Sequence, residues 1–114
     1  MKIDIVVQGD VAILSVSGEV DVSNAVDIKA SIKDQLTAGL TKIIIDFKEV
    51  SYIDSFGIGV LVSGLTTVRK TDGNLKLAAL SENVKKIFQL AKLLKFFEIY
   101  DTLEGAIKSF EVQI

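Results

Sequence analysis

The stretch Tyr52-Ile53-Asp54-Ser55-Phe56-Gly57-Ile58-Gly59 gathers the residue types most able to do chemistry in this chain. Asp54 and Ser55 fall where a connection meets an apolar helix. At such a junction Asp or Ser satisfies the first free N–H groups as a cap. The same place offers a hydroxyl at the positive end of a helix, where a phosphate would meet backbone donors and a favourable dipole. The two readings are compatible, with Asp54 as the cap and Ser55 as a phosphate acceptor. Gly57 and Gly59 would let a partner's backbone or active-site cleft come close.

Catalysis by Ser55 lacks its usual supports. A nucleophile elbow needs Gly two residues before the serine, where Ile53 stands, and the 114 residues contain no His to act as base. No Ser-x-x-Lys pair lies near Ser55. A dinucleotide fingerprint beginning at Gly57 would put its third glycine at Val62, and the Gly-Lys-Ser/Thr of a phosphate-binding loop is absent. Asp46, near the end of an apolar strand, invites comparison with a phosphorylated receiver domain. A receiver, however, starts with a strand followed by a helix, and here the first strand feeds a hairpin.

Composition narrows the field further. With no Cys and no His, disulfides, thiolate nucleophiles and the commonest zinc sites drop out. Thirteen basic against fifteen acidic side chains leave a net charge of −2, and Arg69 is the single arginine. Nothing there favours nucleic acid. No apolar run approaches the ~20 residues of a membrane span, and Met1-Lys2-Ile3-Asp4 does not open a signal peptide. A cytoplasmic protein without cofactor is expected, as one domain over residues 1–114.

Period-2 alternation at Ile3, Ile5 and Val7, the Gln8-Gly9-Asp10 turn signal and the run Val11–Ser17 predict an opening hairpin. Gly18-Glu19-Val20-Asp21 breaks the pattern. Ser23 or Asn24 then caps a helix with Ala25, Ile28, Ile32 and Leu36 inward, and Gly39 stops it. Lys42–Phe47 reads as a strand covered on both faces, and Lys48–Ile53 as a connection. The helix from Asp54-Ser55 is apolar almost all round (Phe56, Ile58, Val60, Leu61, Val62, Leu65, Val68). Its Gly57, Gly59 and Gly64 imply close approach to the sheet or a loop, since each costs about 1 kcal/mol against Ala. Thr71-Asp72-Gly73 ends it. A strand over Asn74–Leu80 follows, then a helix from Ser81 with Val84, Ile87, Phe88, Ala91 and Leu94 on one stripe. A short strand over Phe96–Tyr100 and a last helix, capped by Asp101 or Thr102, complete the order ββαβαβαβα.

Strands alternating with helices predict an α/β fold with a mostly parallel sheet opened by a hairpin. Loops at the carboxyl ends of parallel strands converge on one rim. Asp21, Ser51 to Ser55 and Ser81 should therefore be neighbours, although Gly18–Asp21 alone reads as an ordinary polar turn. Lys85, Lys86, Lys92 and Lys95 read as a solvated helix face.

Together these residues resemble the STAS domain (sulfate transporter and anti-sigma factor antagonist) over essentially the whole chain, and most of all the free-standing bacterial anti-sigma factor antagonists. The specific part is Asp54-Ser55-Phe56-Gly57-Ile58-Gly59; the hairpin, Gly18-Glu19-Val20-Asp21, Ile43–Asp46, Leu75-Lys76-Leu77 and Val84–Phe88 agree with it. The resemblance implies a non-enzymatic switch. The unphosphorylated antagonist binds an anti-sigma factor that is also a serine kinase and frees the sigma factor. Phosphorylation at the position of Ser55 turns the antagonist off, and a metal-dependent serine phosphatase resets it. Asp21, Asp54, Ser55, Phe56, Gly57, Ile58 and Gly59 would form the partner-binding surface. Phe56 stands where the family often has Ser or Thr, an aromatic able to fill a partner's pocket. Two other readings fit the same domain: a STAS accessory subunit of a transporter or sensory complex, or a nucleotide- or lipid-binding domain, each without phosphorylation.

Overall fold

Gly9 and Asp10 turn the chain between β1 (Lys2–Gln8) and β2 (Val11–Val20). Gly9 takes φ +64°, the left-handed conformation that a tight hairpin asks of its first central residue. Antiparallel pairing then runs from Gln8–Val11 to Lys2–Ser17. A computed structural model describes residues 1–111, so the last three positions of the expected domain lie outside it. The chain continues through α1 (Ala25–Thr37), β3 (Lys42–Ile53), α2 (Ser55–Arg69), β4 (Asn74–Ala78), α3 (Glu82–Leu90), a 3-10 turn (Leu94–Phe96), β5 (Glu98–Tyr100) and α4 (Leu103–Glu111). The α/β order ββαβαβαβα is the expected one.

The sheet order is β1-β2-β3-β4-β5, with β2 to β5 parallel. Each parallel connection steps one strand in the same direction. Right-handed crossovers then place α1, α2 and α3 on one face. Their apolar stripes (Ile28 and Ile32; Ile58, Leu61 and Leu65; Val84 and Phe88) bury against Leu14, Ile43, Ile45 and Leu77. On the opposite face α4 sets Ala106 and Phe110 on Val11, Ile13, Ile44 and Ala78. Ile43, Ile44 and Ile45 are all fully buried, as a strand covered on both sides requires.

Several expected boundaries move, each for a physical reason. Gly18-Glu19-Val20 does not end β2, and Lys48–Ile53 is strand, where a connection was expected. The parallel ladder reaches Val20–Ile53 because β3 accommodates extra residues at two register shifts. The Lys48 amide, freed at the first of these, donates to the Asp46 carboxylate (3.0 Å). β4 stops at Ala78: Ala79 N–H still donates to Tyr100 O (2.9 Å), and its φ of +60° then turns the chain away. Helix α3 ends at Leu90, so Ala91 and Leu94 lie beyond it. Lys92 adopts φ +60° there, Leu93 N–H donates to Phe88 O (3.0 Å), and Lys92 N–H to Gln89 O (2.9 Å), a Schellman closure with Lys where Gly is usual. Phe96 belongs to the 3-10 turn, which shortens β5 to three residues.

Candidate functional site

Asp54 ties the rim together. It N-caps α2, with Oδ1 accepting the Gly57 amide (2.8 Å), and its other oxygen accepts the Val22 amide from the β2–α1 loop (3.2 Å). Its own N–H donates to Val20 O (3.0 Å). One carboxylate thereby holds two successive strand-to-helix connections in register. The cap is worth about 0.5–2 kcal/mol by the usual Asp-to-Ala comparison.

Ser55 is the first residue of α2 and is exposed. Among the described residues its hydroxyl has no hydrogen-bond partner. Backbone donors and the helix dipole point toward the space in front of it. Phe56 follows, 43% exposed. Gly57 and Ile58 turn the other way and are buried, so of the expected partner-binding residues these two shape the surface from beneath. A Cβ on Gly57 would come to 2.7 Å from Ile53 Cγ1 and 3.0 Å from Val20 Cγ1, and one on Gly64 to 2.8 Å from Ile32 Cδ1. Close approach therefore accounts for both. It does not account for Gly59, which faces open space.

The Asp21 turn is built from its own side chains. Asp21 Oδ1 accepts from the Ser23 amide (2.9 Å) and hydroxyl, and Asp21 N–H donates to Asn24 Oδ1 (2.9 Å). Asn24 Nδ2 donates to Glu19 O (3.0 Å). Asn24 occupies the N-cap position of α1 but spends its side chain on this turn and leaves the helix amides uncapped by it. Hydrogen bonds from Ser23, the hydroxyl first and then the amide, hold the Asp21 carboxyl below the usual carboxylate range.

The start of α3 joins the rim as well. Ser81 caps it by accepting the Val84 amide (3.2 Å), and Asn83 Nδ2 donates to Ser51 O (3.1 Å). The topology thus brings the Asp21, Ser51–Ser55 and Ser81 segments to one edge, as the strand directions demand. Sequence reasoning missed an apolar component: besides Phe56, Val22, Val26 and Tyr52 are exposed in the strand end, connection and first turns that meet at Asp54. Its only trace was position, with Val22 between two turn-forming polar residues and Val26 off the buried stripe of α1. Among the described residues no cluster of carboxylates suits a metal ion. A cavity of about 470 Å³ lined by Asp46, Lys48, Ala79 and Asp101–Glu104 lies on the α4 side of the sheet. No helix among the described residues is long and apolar enough to cross a membrane.

Fold and rim together define a STAS domain: the family's model matches residues 2–106, and the chain belongs to this family. It is 33% identical over 95 residues to the anti-sigma-B factor antagonist of Bacillus subtilis, covering 83% of this chain and 86% of that protein. Among solved structures, an anti-sigma factor antagonist from Mycobacterium paratuberculosis superposes with a TM-score of 0.88 at 22% identity, over 97% of this chain and 94% of the other. The Bacillus cell fate determinant SpoIIAA in its phosphorylated form gives 0.74 at 25% identity, over 96% and 99%.

Proposed function

We propose that this chain is an anti-sigma factor antagonist: its unphosphorylated form binds an anti-sigma factor serine kinase and releases the sigma factor, and phosphorylation of Ser55 switches it off. The observation that carries the reading is Ser55 itself. A free hydroxyl at the first residue of a buried helix sits on a rim edged by Val22, Val26, Tyr52 and Phe56. Apolar side chains exposed beside an anionic loop suit a protein partner more than a small ligand. The B. subtilis relative, named an anti-sigma-B factor antagonist, and the phosphorylated SpoIIAA structure support the same assignment.

The chain acts here as substrate and binding partner, without catalysis of its own. The Ser55 oxygen would attack the γ-phosphorus of ATP held by the kinase; its proton passes to the kinase and ADP leaves. The product adds a charge of about −1.5 to −2 beside Asp54. At ~5 Å and an effective dielectric of ~20, each pair of unit charges repels by about 3 kcal/mol before solvent screening. Burying that dianion in a closed interface costs further desolvation. Free helix-end amides hold the phosphate without any change of fold. A serine phosphatase restores the hydroxyl.

The test is phosphorylation by the cognate kinase with ATP, followed by site mapping by mass spectrometry. A single phosphate on Ser55 is expected, with none in Ser55→Ala; label on Ser51, Ser63 or Ser81 and none on Ser55 overturns the assignment. In titration calorimetry Ser55→Ala should keep most of the kinase affinity and Ser55→Asp should lose part of it. Equal affinity for wild type and Ser55→Asp would refute a charge switch.

A further inference from the structure

The end of the molecule opposite the Ser55 rim carries a second surface. Helix α3 starts at the rim, through the Asn83–Ser51 bond, and its nine residues carry the chain about 13 Å away. Where it ends, Leu90 is 85% exposed and Phe96 is exposed too. Beside them a groove of about 340 Å³ is lined by Gln89, Lys92, Leu94 and Lys95. Residues 83–97 contain Lys85, Lys86, Lys92 and Lys95 and no Asp or Glu, in a chain whose net charge is −2. Lys85 is engaged by Glu82 and Asp101, each at 3.8 Å. Among the described residues Lys86, Lys92 and Lys95 pair with no carboxylate.

A solvated helix face explains the lysines but leaves Leu90 and Phe96 unexplained. Phe96 is also fixed in place. Its ring stands edge-on to Phe97 at 5.3 Å, and Phe97 packs edge-on to the core residue Phe88 at 5.7 Å. An aromatic held rigid on a core stack loses little entropy on binding, which is how interface anchors behave. The Schellman closure at Lys92 fixes the backbone between Leu90 and Phe96 in the same way.

We propose that this cationic, apolar surface docks an acidic amphipathic segment of a partner protein, presenting one or two large apolar side chains flanked by Asp or Glu. Charge complementarity selects the sign: Lys92 and Lys95 line the groove, whose lining holds no acid, and Lys86 stands one helical turn before Leu90. The groove selects a protein segment over a lipid surface, because a bilayer has no side chain to fill it. Three free lysines also fall short of the roughly four to eight of a lipid-binding cluster. Lying at the far end of α3, the surface remains open when the Ser55 rim is covered.

The experiment is a two-dimensional amide NMR titration of the ¹⁵N-labelled full chain with three probes. These are a short helical peptide with Glu on one face and Leu and Phe on the other, its counterpart with Lys in place of Glu, and phosphatidylcholine–phosphatidylserine vesicles. Saturable shifts confined to Gln89–Phe96 are expected with the acidic peptide alone. Lys92→Glu/Lys95→Glu should weaken that binding by at least about tenfold at low salt, and Leu90→Ala severalfold, with melting unchanged because all three positions are exposed. Ser55→Ala should bind the peptide like wild type, which separates this surface from the switch. Absence of shifts at these amides, equal binding of the basic peptide, or indifference to the double charge reversal would overturn the proposal. Vesicle binding without peptide binding would assign the surface to lipid instead.

Discussion

The two faces of the sheet are built on different terms. Under α1, α2 and α3 the packing is apolar apart from the buried Gln35 of α1, with Phe88 meeting Phe47 and Phe97 edge-on at 6.4 and 5.7 Å. Under α4 a lysine lies in the packing: Lys76 is 6% exposed, donates to Ser109 Oγ (2.8 Å), approaches Glu98 (4.0 Å) and sits 4.0 Å above the centre of the Phe110 ring. The first face is organised for stability. The second satisfies a buried charge by precise but modest contacts, which add specificity more readily than they add stability. The rim that carries Ser55 stands at the edge of the first face.

The largest effect should come from that first face. Phe88→Ala removes the centre of the aromatic stack and should cost about 3–5 kcal/mol in urea unfolding; a loss below 1 kcal/mol would erase the contrast between the faces.

Two glycines of α2 sharpen it further. Gly57→Ala drives a methyl into Ile53 and Val20 and should cost about 1–3 kcal/mol by overpacking. Gly59→Ala meets open space and should stabilise by up to about 1 kcal/mol. If Gly59 stays small for a partner, the same substitution weakens kinase binding while melting rises. Unchanged binding would leave Gly59 without that role.

On the second face Lys76→Met should lie within about 1 kcal/mol of wild type, because removing a buried charge also removes its desolvation cost. A loss of 3 kcal/mol or more would show Lys76 to be as structural as Phe88.

The smallest effect concerns acid. Ser23 depresses the folded-state pKa of Asp21, and Lys42, through a 2.8 Å hydrogen bond, depresses that of Asp10. A depressed carboxylate contributes stability above its unfolded value of 3.8 and loses it as pH falls through the lower folded value. Asp21→Asn should therefore show a shallower melting decline than wild type below about pH 4, and Asp21→Asn/Asp10→Asn a shallower one still. Parallel declines in all three would remove Asp21 and Asp10 as contributors.

Much of this was legible in the residues. Apolar periodicity placed every helix and strand in order, and Asp54 and Ser81 announced their helix starts because capping is a local property. What escaped depended on partners distant in the chain. The bulges that let β3 run to Ile53 hide behind the polar pair Lys48-Glu49, since their support is the facing β2 strand. Lys92 in a left-handed conformation carries no compositional warning. At the site, Asp21 and Ser55 could be assigned to one rim from strand direction alone. The inward turn of Gly57 and Ile58 depends on how α2 lies against β2 and β3, and the exposure of Val22 and Tyr52 on which neighbours fail to cover them.

Sheet order and chain order coincide in this molecule, so each strand after the first pairs with the strand before it in the chain. Each parallel pairing closes over one intervening helix, and no strand is skipped. During synthesis the hairpin can form first and each later strand add to a finished edge. Both connections that frame Ser55 lie within the first 69 residues. The rim that carries Ser55 would therefore emerge from the ribosome ahead of the basic end of α3, and α4 would close last over the face that holds Lys76.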